Sequence, residues 1–128
     1  MRASRPWWTR VVALVAALSV PTAARADDWL GPDKALHATV SAALSLGGQA
    51  AAISFLETAP ERALFGFFTS LSLGVGKELV DGLGLGSASL KDLTWDFVGA
   101  AAGALLGWVI DTWLVTPLLE SAAPRLGF

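Results

Sequence analysis

Nine residues of this chain have types and spacings that could do chemistry: Asp33, Lys34 and His37; Lys77, Glu78 and Asp81; Lys91, Asp92 and Asp96. Asp33 and His37 are one helical turn apart, as are Asp92 and Asp96, and Glu78 and Asp81 are nearly so, so each pair can reach one ion. On that spacing Asp33, His37, Glu78, Asp81, Asp92 and Asp96 are candidate ligands for a divalent metal. His37 could equally be a general base, although no serine or threonine nucleophile is identifiable beside it. The competing reading is an ion-pair network that fixes helix register. Acids in a first helical turn complement the helix dipole, and a cation such as Lys77 is favoured near a helix end. The trios hold five carboxylates and three lysines. The surplus of two, with His37, could hold a cation, share protons or bind a cationic head group.

The elements that must position these residues read as helices. Pro32 suits a helix start, and helix one is expected from about Asp33 to Leu56. Thr58-Ala-Pro-Glu61 is a capping-box signal, opening helix two from about Pro60 to Asp81. Gly82-Leu-Gly-Leu-Gly86 is a break. Ser89-Leu-Lys-Asp92 is a second capping signal, and helix three is expected to run to about Val115, with Pro117 marking its end. Residues 117–128 then form a short tail, in which Pro124 argues against a long final helix. Strand alternation and solenoid repeats are absent from the sequence. The expected fold is all-α, a small antiparallel bundle of about three helices over 27–116.

Short connections make neighbouring helices antiparallel. The start of helix one, the end of helix two and the start of helix three are then level, and the nine residues share one end. The helical period puts Asp33, His37, Ser41, Leu44 and Gly48 on one stripe, Ser70, Gly74, Lys77 and Asp81 on a second, and Asp92, Asp96, Gly99 and Gly103 on a third. Gly99, Gly103 and Gly107 form a small-residue ladder of the kind that lets helix backbones approach closely in a membrane. That ladder could pack within the chain or join two copies.

Composition bounds the class. Of the 128 residues, 54% are hydrophobic and only 16% charged, too apolar for an ordinary soluble domain of this size. Cysteine is absent, which excludes disulfides, thiolate metal sites and a lipid-bearing cysteine. Arg2, Arg5 and Arg10 precede the apolar run 11–20, Pro21 breaks it, and Ala24-Arg25-Ala26 is a small-x-small pattern, so residues 1–26 read as a secretory signal peptide cleaved after Ala26, the alternative being an uncleaved anchor helix, for which the apolar run is short. Cleavage removes four of the nine basic residues and none of the eleven acids, leaving a net charge of −6. An acidic, exported chain is a poor nucleic-acid binder, and with no phosphate-binding glycine loop a nucleotide cofactor is not expected.

About twenty apolar residues are needed to span a bilayer. Helix three meets this most readily over 97–115. Helix one is long enough but carries His37, Ser41 and Gln49, and helix two is apolar only over 63–76, which is short. Membrane integration, with lipid as partner and Trp29 as an interfacial anchor, is the expectation. Export places the mature start and the charged end in the periplasm. The positive-inside rule gives little support, because the charged end holds three lysines whereas the opposite end holds Arg62 and Arg125.

The motif Trp29-x-Gly31-x-Asp33-Lys34-Ala35-x-His37, then Ser41-x-x-Leu44-Ser45, then Ser70-x-Ser72-Leu73-Gly74-x-x-Lys77-Glu78-Leu79-x-Asp81, then Lys91-Asp92-x-x-Trp95-Asp96-x-x-Gly99-Ala100-x-x-Gly103 resembles the YfiM-type periplasmic lipoproteins of unknown function. It is also distantly similar to VanZ-like membrane proteins. The resemblance covers nearly all of 29–107 and implies a small, helical, envelope-located protein. It implies no reaction, and the lipobox cysteine of the YfiM type is missing here. Two function classes therefore stay open: a structural or ligand-binding envelope membrane protein, or a membrane-embedded, metal-assisted hydrolase acting on an envelope lipid.

Overall fold

A computed structural model describes residues 28–126. The expected signal peptide, 1–26, lies outside the described residues. Four α-helices follow one another: α1 (Pro32–Ala52), α2 (Ala59–Val80), α3 (Leu90–Ile110) and α4 (Thr116–Leu126). No strand occurs among the described residues. The described residues form an all-helical fold, as composition and periodicity lead one to expect.

The helix boundaries have local causes. Pro32 sits in the first turn of α1, where its missing N–H costs nothing. α1 stops at Ala52, short of the expected Leu56, because residues 53–56 turn back on the Ala52 carbonyl, which accepts from Phe55 N at 3.1 Å and Leu56 N at 2.8 Å. That turn delivers Thr58 to its capping position. Thr58 Oγ1 accepts from Glu61 N, and Glu61 Oε2 accepts from Thr58 N at 3.1 Å, the full capping box. Ser89 caps α3 by accepting from Asp92 N at 3.3 Å. α2 runs into a π-turn over Asp81–Leu85, which ends where Gly84 takes φ 97°, a left-handed conformation that favours glycine.

The end of α3 differs from expectation. Pro117 does not end the helical run, and residues 117–126, expected to be part of a short tail, are helical. α3 passes through a wider π-turn, Asp111–Val115, in which Thr116 N–H bonds to the Asp111 carbonyl, and continues as α4. A proline in a regular α-helix lacks a donor and strikes the carbonyl four residues back, and a π-turn just ahead of it relieves that conflict.

Two helical stretches are long and apolar enough to cross a membrane, Ala59–Leu85 and Leu90–Ala123. The second helix, expected to be short, therefore qualifies, and α1 does not. The packing is inverted relative to a water-soluble bundle. Among the described residues, the buried apolar ones are only Ala52, Ala59 and Ala100. Lys34, Ser41, Ser45, Gln49, Arg62, Ser70, Asp92, Asp96 and Asp111 are buried instead, while Leu64, Phe68, Leu79, Leu105 and Trp113 are exposed. Soluble domains bury their large apolar side chains and almost never a lysine or arginine without a partner.

Small residues let the polar interior close. A Cβ on Gly99 would overlap the Ala38 backbone, and one on Gly103 would overlap the Ala42 backbone. A Cβ on Gly107 would strike the Gln49 amide. The Gly99–Gly103–Gly107 ladder therefore packs against α1 of the same chain. Gly66 of α2 lies equally close to Ser45 and Gln49. Gln49 is thus gripped between glycines of two helices, and its Nε2 donates to the Gly103 carbonyl at 3.2 Å.

This geometry predicts opposite outcomes at two glycines of the bundle. Gly99→Ala forces the α1 and α3 backbones apart and should lower the unfolding free energy by about 1–3 kcal/mol. At Gly47 an added Cβ meets nothing within 4 Å, so Gly47→Ala should be neutral or add up to about 1 kcal/mol of helix stability. Denaturant unfolding in micelles, followed by circular dichroism, measures both. Equal losses would contradict the packing.

Candidate functional site

The antiparallel helices bring the start of α1, the end of α2 and the start of α3 to one end. Contacts between Lys34 and Asp92, between Gly74 and Asp96 and between Glu78 and Ser89 establish this. The nine expected residues share that end but divide into a buried network and a more exposed one.

The buried network centres on Asp96, 4% exposed. Its Oδ1 accepts from Ser41 Oγ at 2.8 Å and lies 2.9 Å from His37 Nδ1. Its Oδ2 is buried without a hydrogen-bond partner, and it faces Gly74, where an added Cβ would come within 2.9 Å. His37 Nε2 lies 3.6 Å from Asp92 Oδ2, within ion-pair range but too far for a hydrogen bond. Asp92 pairs with the Lys34 ammonium, and Lys34 is 2% exposed. Lys34 also reaches Asp33 Oδ2 at 3.0 Å.

The first expected stripe is therefore rotated. Asp33 and Leu44 are on the outside, and the buried face of α1 is Lys34, Ser41, Ser45, Gln49 and Ala52. The expected stripe omits Lys34, whose long stem lets the ammonium reach Asp92 from an inward position. The second stripe holds at Ser70 and Gly74 but not at Lys77, which is half exposed. The third stripe is buried throughout.

The exposed network gathers on Lys77, whose Nζ donates to Asp81 Oδ2 at 2.7 Å and Glu78 Oε1 at 3.1 Å. Glu78 Oε2 accepts from Ser89 N at 2.6 Å, tying the end of α2 to the cap of α3. Lys91 lies over the Trp29 ring at 5.5 Å, and Trp95 Nε1 donates to the Trp29 carbonyl at 2.8 Å, so the segment before α1 is clamped to α3.

This arrangement departs from the metal expectation. Among the described residues, no three His, Cys, Asp or Glu side chains converge to hold a metal ion. Of the candidates, Asp33 turns outward, Asp92 is taken by Lys34, and Glu78 and Asp81 gather on Lys77. The geometry does not form a serine–histidine pair either. Ser41 and His37 both point at Asp96 Oδ1, so the hydroxyl is held by the carboxylate rather than activated by the imidazole.

A polar seam continues inward from Asp96. Ser70 Oγ donates to the Ser41 carbonyl at 2.7 Å, and below it Ser45 Oγ and Gln49 Oε1 are buried without partners. At the far end lies a second charged layer that the sequence reading missed. Arg62 Nη1 bonds Asp111 Oδ1 at 2.9 Å, Nη2 bonds the Glu57 carbonyl at 2.6 Å, and Thr116 Oγ1 donates to Asp111 Oδ1 at 3.0 Å. The signal was present: Arg62 precedes Gly74 by 12 residues and Asp111 follows Asp96 by 15, so antiparallel helices bring the two within about one turn of the same level, a gap the long arginine stem spans.

The buried pair and the surface pair predict different costs. Lys34→Met leaves Asp92 without its ammonium and should cost about 3–5 kcal/mol, whereas Asp33→Asn, on the surface, should cost less than about 1 kcal/mol. The double variant Lys34→Met/Asp92→Leu should recover most of the loss, since an apolar replacement of a buried pair is often neutral. Unfolding free energies in micelles provide the test.

Comparison of the chain with family models, with curated proteins and with solved structures finds no match.

Proposed function

We propose that this chain is a noncatalytic cell-envelope membrane protein whose helices sit in the bilayer and whose charged end faces the periplasm. The observation that carries this reading is the inversion of the bundle, with lysine, arginine and aspartate inside and leucine, phenylalanine and tryptophan outside. In water that arrangement exposes the apolar surface that normally drives folding, whereas in lipid it is the favourable one.

The spacing of the two charged layers supports it. Asp92 and Asp111 are nineteen residues apart on one continuous helix. At 1.5 Å per residue that is about 28 Å, close to the roughly 30 Å of a hydrocarbon core. Trp29 and Trp95 flank one layer, Trp108 and Trp113 the other, as expected of aromatic belts. The layers then sit near the two interfaces, and the seam between them crosses the apolar region.

The buried network locks helix register. The exposed Lys77–Glu78–Asp81 group, with the outward Asp33, forms the face that meets envelope ligands. The lysines at this end are engaged, Lys34 and Lys77 by acids and Lys91 at Trp29. Their count therefore carries little weight for orientation against the signal-like N-terminus. The resemblance of the motifs to the YfiM-type proteins agrees with an envelope location. A hydrolase reading has no comparable support, since the carboxylates it needs are already paired.

Two measurements test the reading. After alkaline carbonate washing the protein should remain with the membrane pellet, and release into the supernatant would overturn membrane integration. A topology reporter inserted beside Gly84 should be active only when read from the periplasm. Activity confined to the cytoplasm would reverse the orientation.

A further inference from the structure

Arg62 has a buried guanidinium hydrogen, on Nε, that the fold does not use. Nη1 faces Asp111 and Nη2 faces the Glu57 carbonyl, but Nε is buried without a partner, and the residue is 3% exposed. In a guanidinium, Nε–H and one Nη hydrogen lie along a common edge. Nη2 donates to the Glu57 carbonyl, so the guanidinium lies against the turn at 53–57. The turn and α4 border an open, shallow groove of about 440 Å³ lined by Ile53, Ser54, Phe55, Leu56, Glu57, Arg62 and Leu119.

The lining has the polarity of an amphiphile. Ile53, Phe55 and Leu119 expose apolar side chains, and Phe55 is braced edge-on by Phe65 with ring centroids 5.1 Å apart. The Glu57 carboxylate is exposed and makes no hydrogen bond or ion pair among the described residues. Arg62 is neutralised by Asp111, so the site does not favour a purely anionic head group. It offers instead one buried donor, one free carboxylate and an apolar wall.

We propose that this groove binds a zwitterionic phospholipid carrying a primary ammonium. The ammonium pairs with Glu57, a phosphate or ester oxygen accepts from Arg62 Nε, and an acyl chain lies along Phe55 and Leu119. Reaching Nε requires a shift of the 53–57 turn, which is held by bonds to the Ala50, Ala51 and Ala52 carbonyls and by Arg62 Nη2 at the Glu57 carbonyl. The groove lies at the Arg62–Asp111 layer, in the leaflet opposite the charged end. This inference rests on the membrane reading above.

Native mass spectrometry of the full chain, released from micelles doped with defined lipids, tests it. Phosphatidylethanolamine should bind about three- to tenfold more tightly than phosphatidylcholine, whose quaternary head has no N–H to donate, and more tightly than phosphatidylglycerol, which has no cation. Glu57→Gln, a surface change that leaves the fold intact, should erase the preference over phosphatidylcholine. Arg62→Lys should weaken all phospholipids, and if it fails to fold, Glu57→Gln alone decides. Inorganic phosphate or ethanolamine alone should not compete. Equal binding of the three lipids, or an unchanged preference in Glu57→Gln, overturns the lipid site while leaving the membrane reading intact. Release by carbonate overturns both.

Discussion

Everything in this bundle depends on the need of buried polar groups for partners. Asp96 shows the constraint most directly. Its carboxylate can be inside only because Ser41 and His37 reach it from α1, and because Gly74 leaves room for it on α2. Moving any of the three helices along its axis would break one of these contacts and leave a charge uncompensated in a medium that penalises it. The same constraint acts at the far end, where Arg62 and Asp111 join α2 to α3 and the Glu57 carbonyl ties in the preceding turn.

The glycines and the charges therefore serve one design. Close backbone approach at Gly99, Gly103 and Gly66 excludes large apolar side chains from the interior. A thin interface leaves room for short polar side chains, and Ser41, Ser45, Ser70 and Gln49 take it. The displaced leucines and phenylalanines line the outside, which suits lipid. Helix association without a hydrophobic core must come from packing and hydrogen bonds, the terms that operate inside a bilayer.

Much of the site was legible before the fold was known. Helical period and short loops correctly put Lys34, Glu78 and Asp92 at one end, and the capping signals at Thr58 and Ser89 located the starts of α2 and α3. The inward position of Asp92, Asp96 and the glycine ladder also followed from spacing. Rotation about a helix axis was less secure. Asp33 and Lys34 differ by only 100° on the wheel, and which one faces inward is decided by the reach of the lysine stem to Asp92. The end of α3 was misread because a π-turn is a backbone accommodation that leaves no residue signature, so Pro117 looked like a stop.

The sequence by itself determined the helical class, the order of the first three helices and the level of the charged end, because each is a local or periodic property. Only the tertiary structure decided which charges pair. Lys34 with Asp92, His37 with Asp96 and Arg62 with Asp111 join residues far apart in the chain. It also decided that the candidate metal ligands are shared out among cations and hydroxyls rather than gathered on one ion. Side-chain reach, helix rotation and interhelical distance set such pairings together, and none of the three is written in the spacing of a single helix.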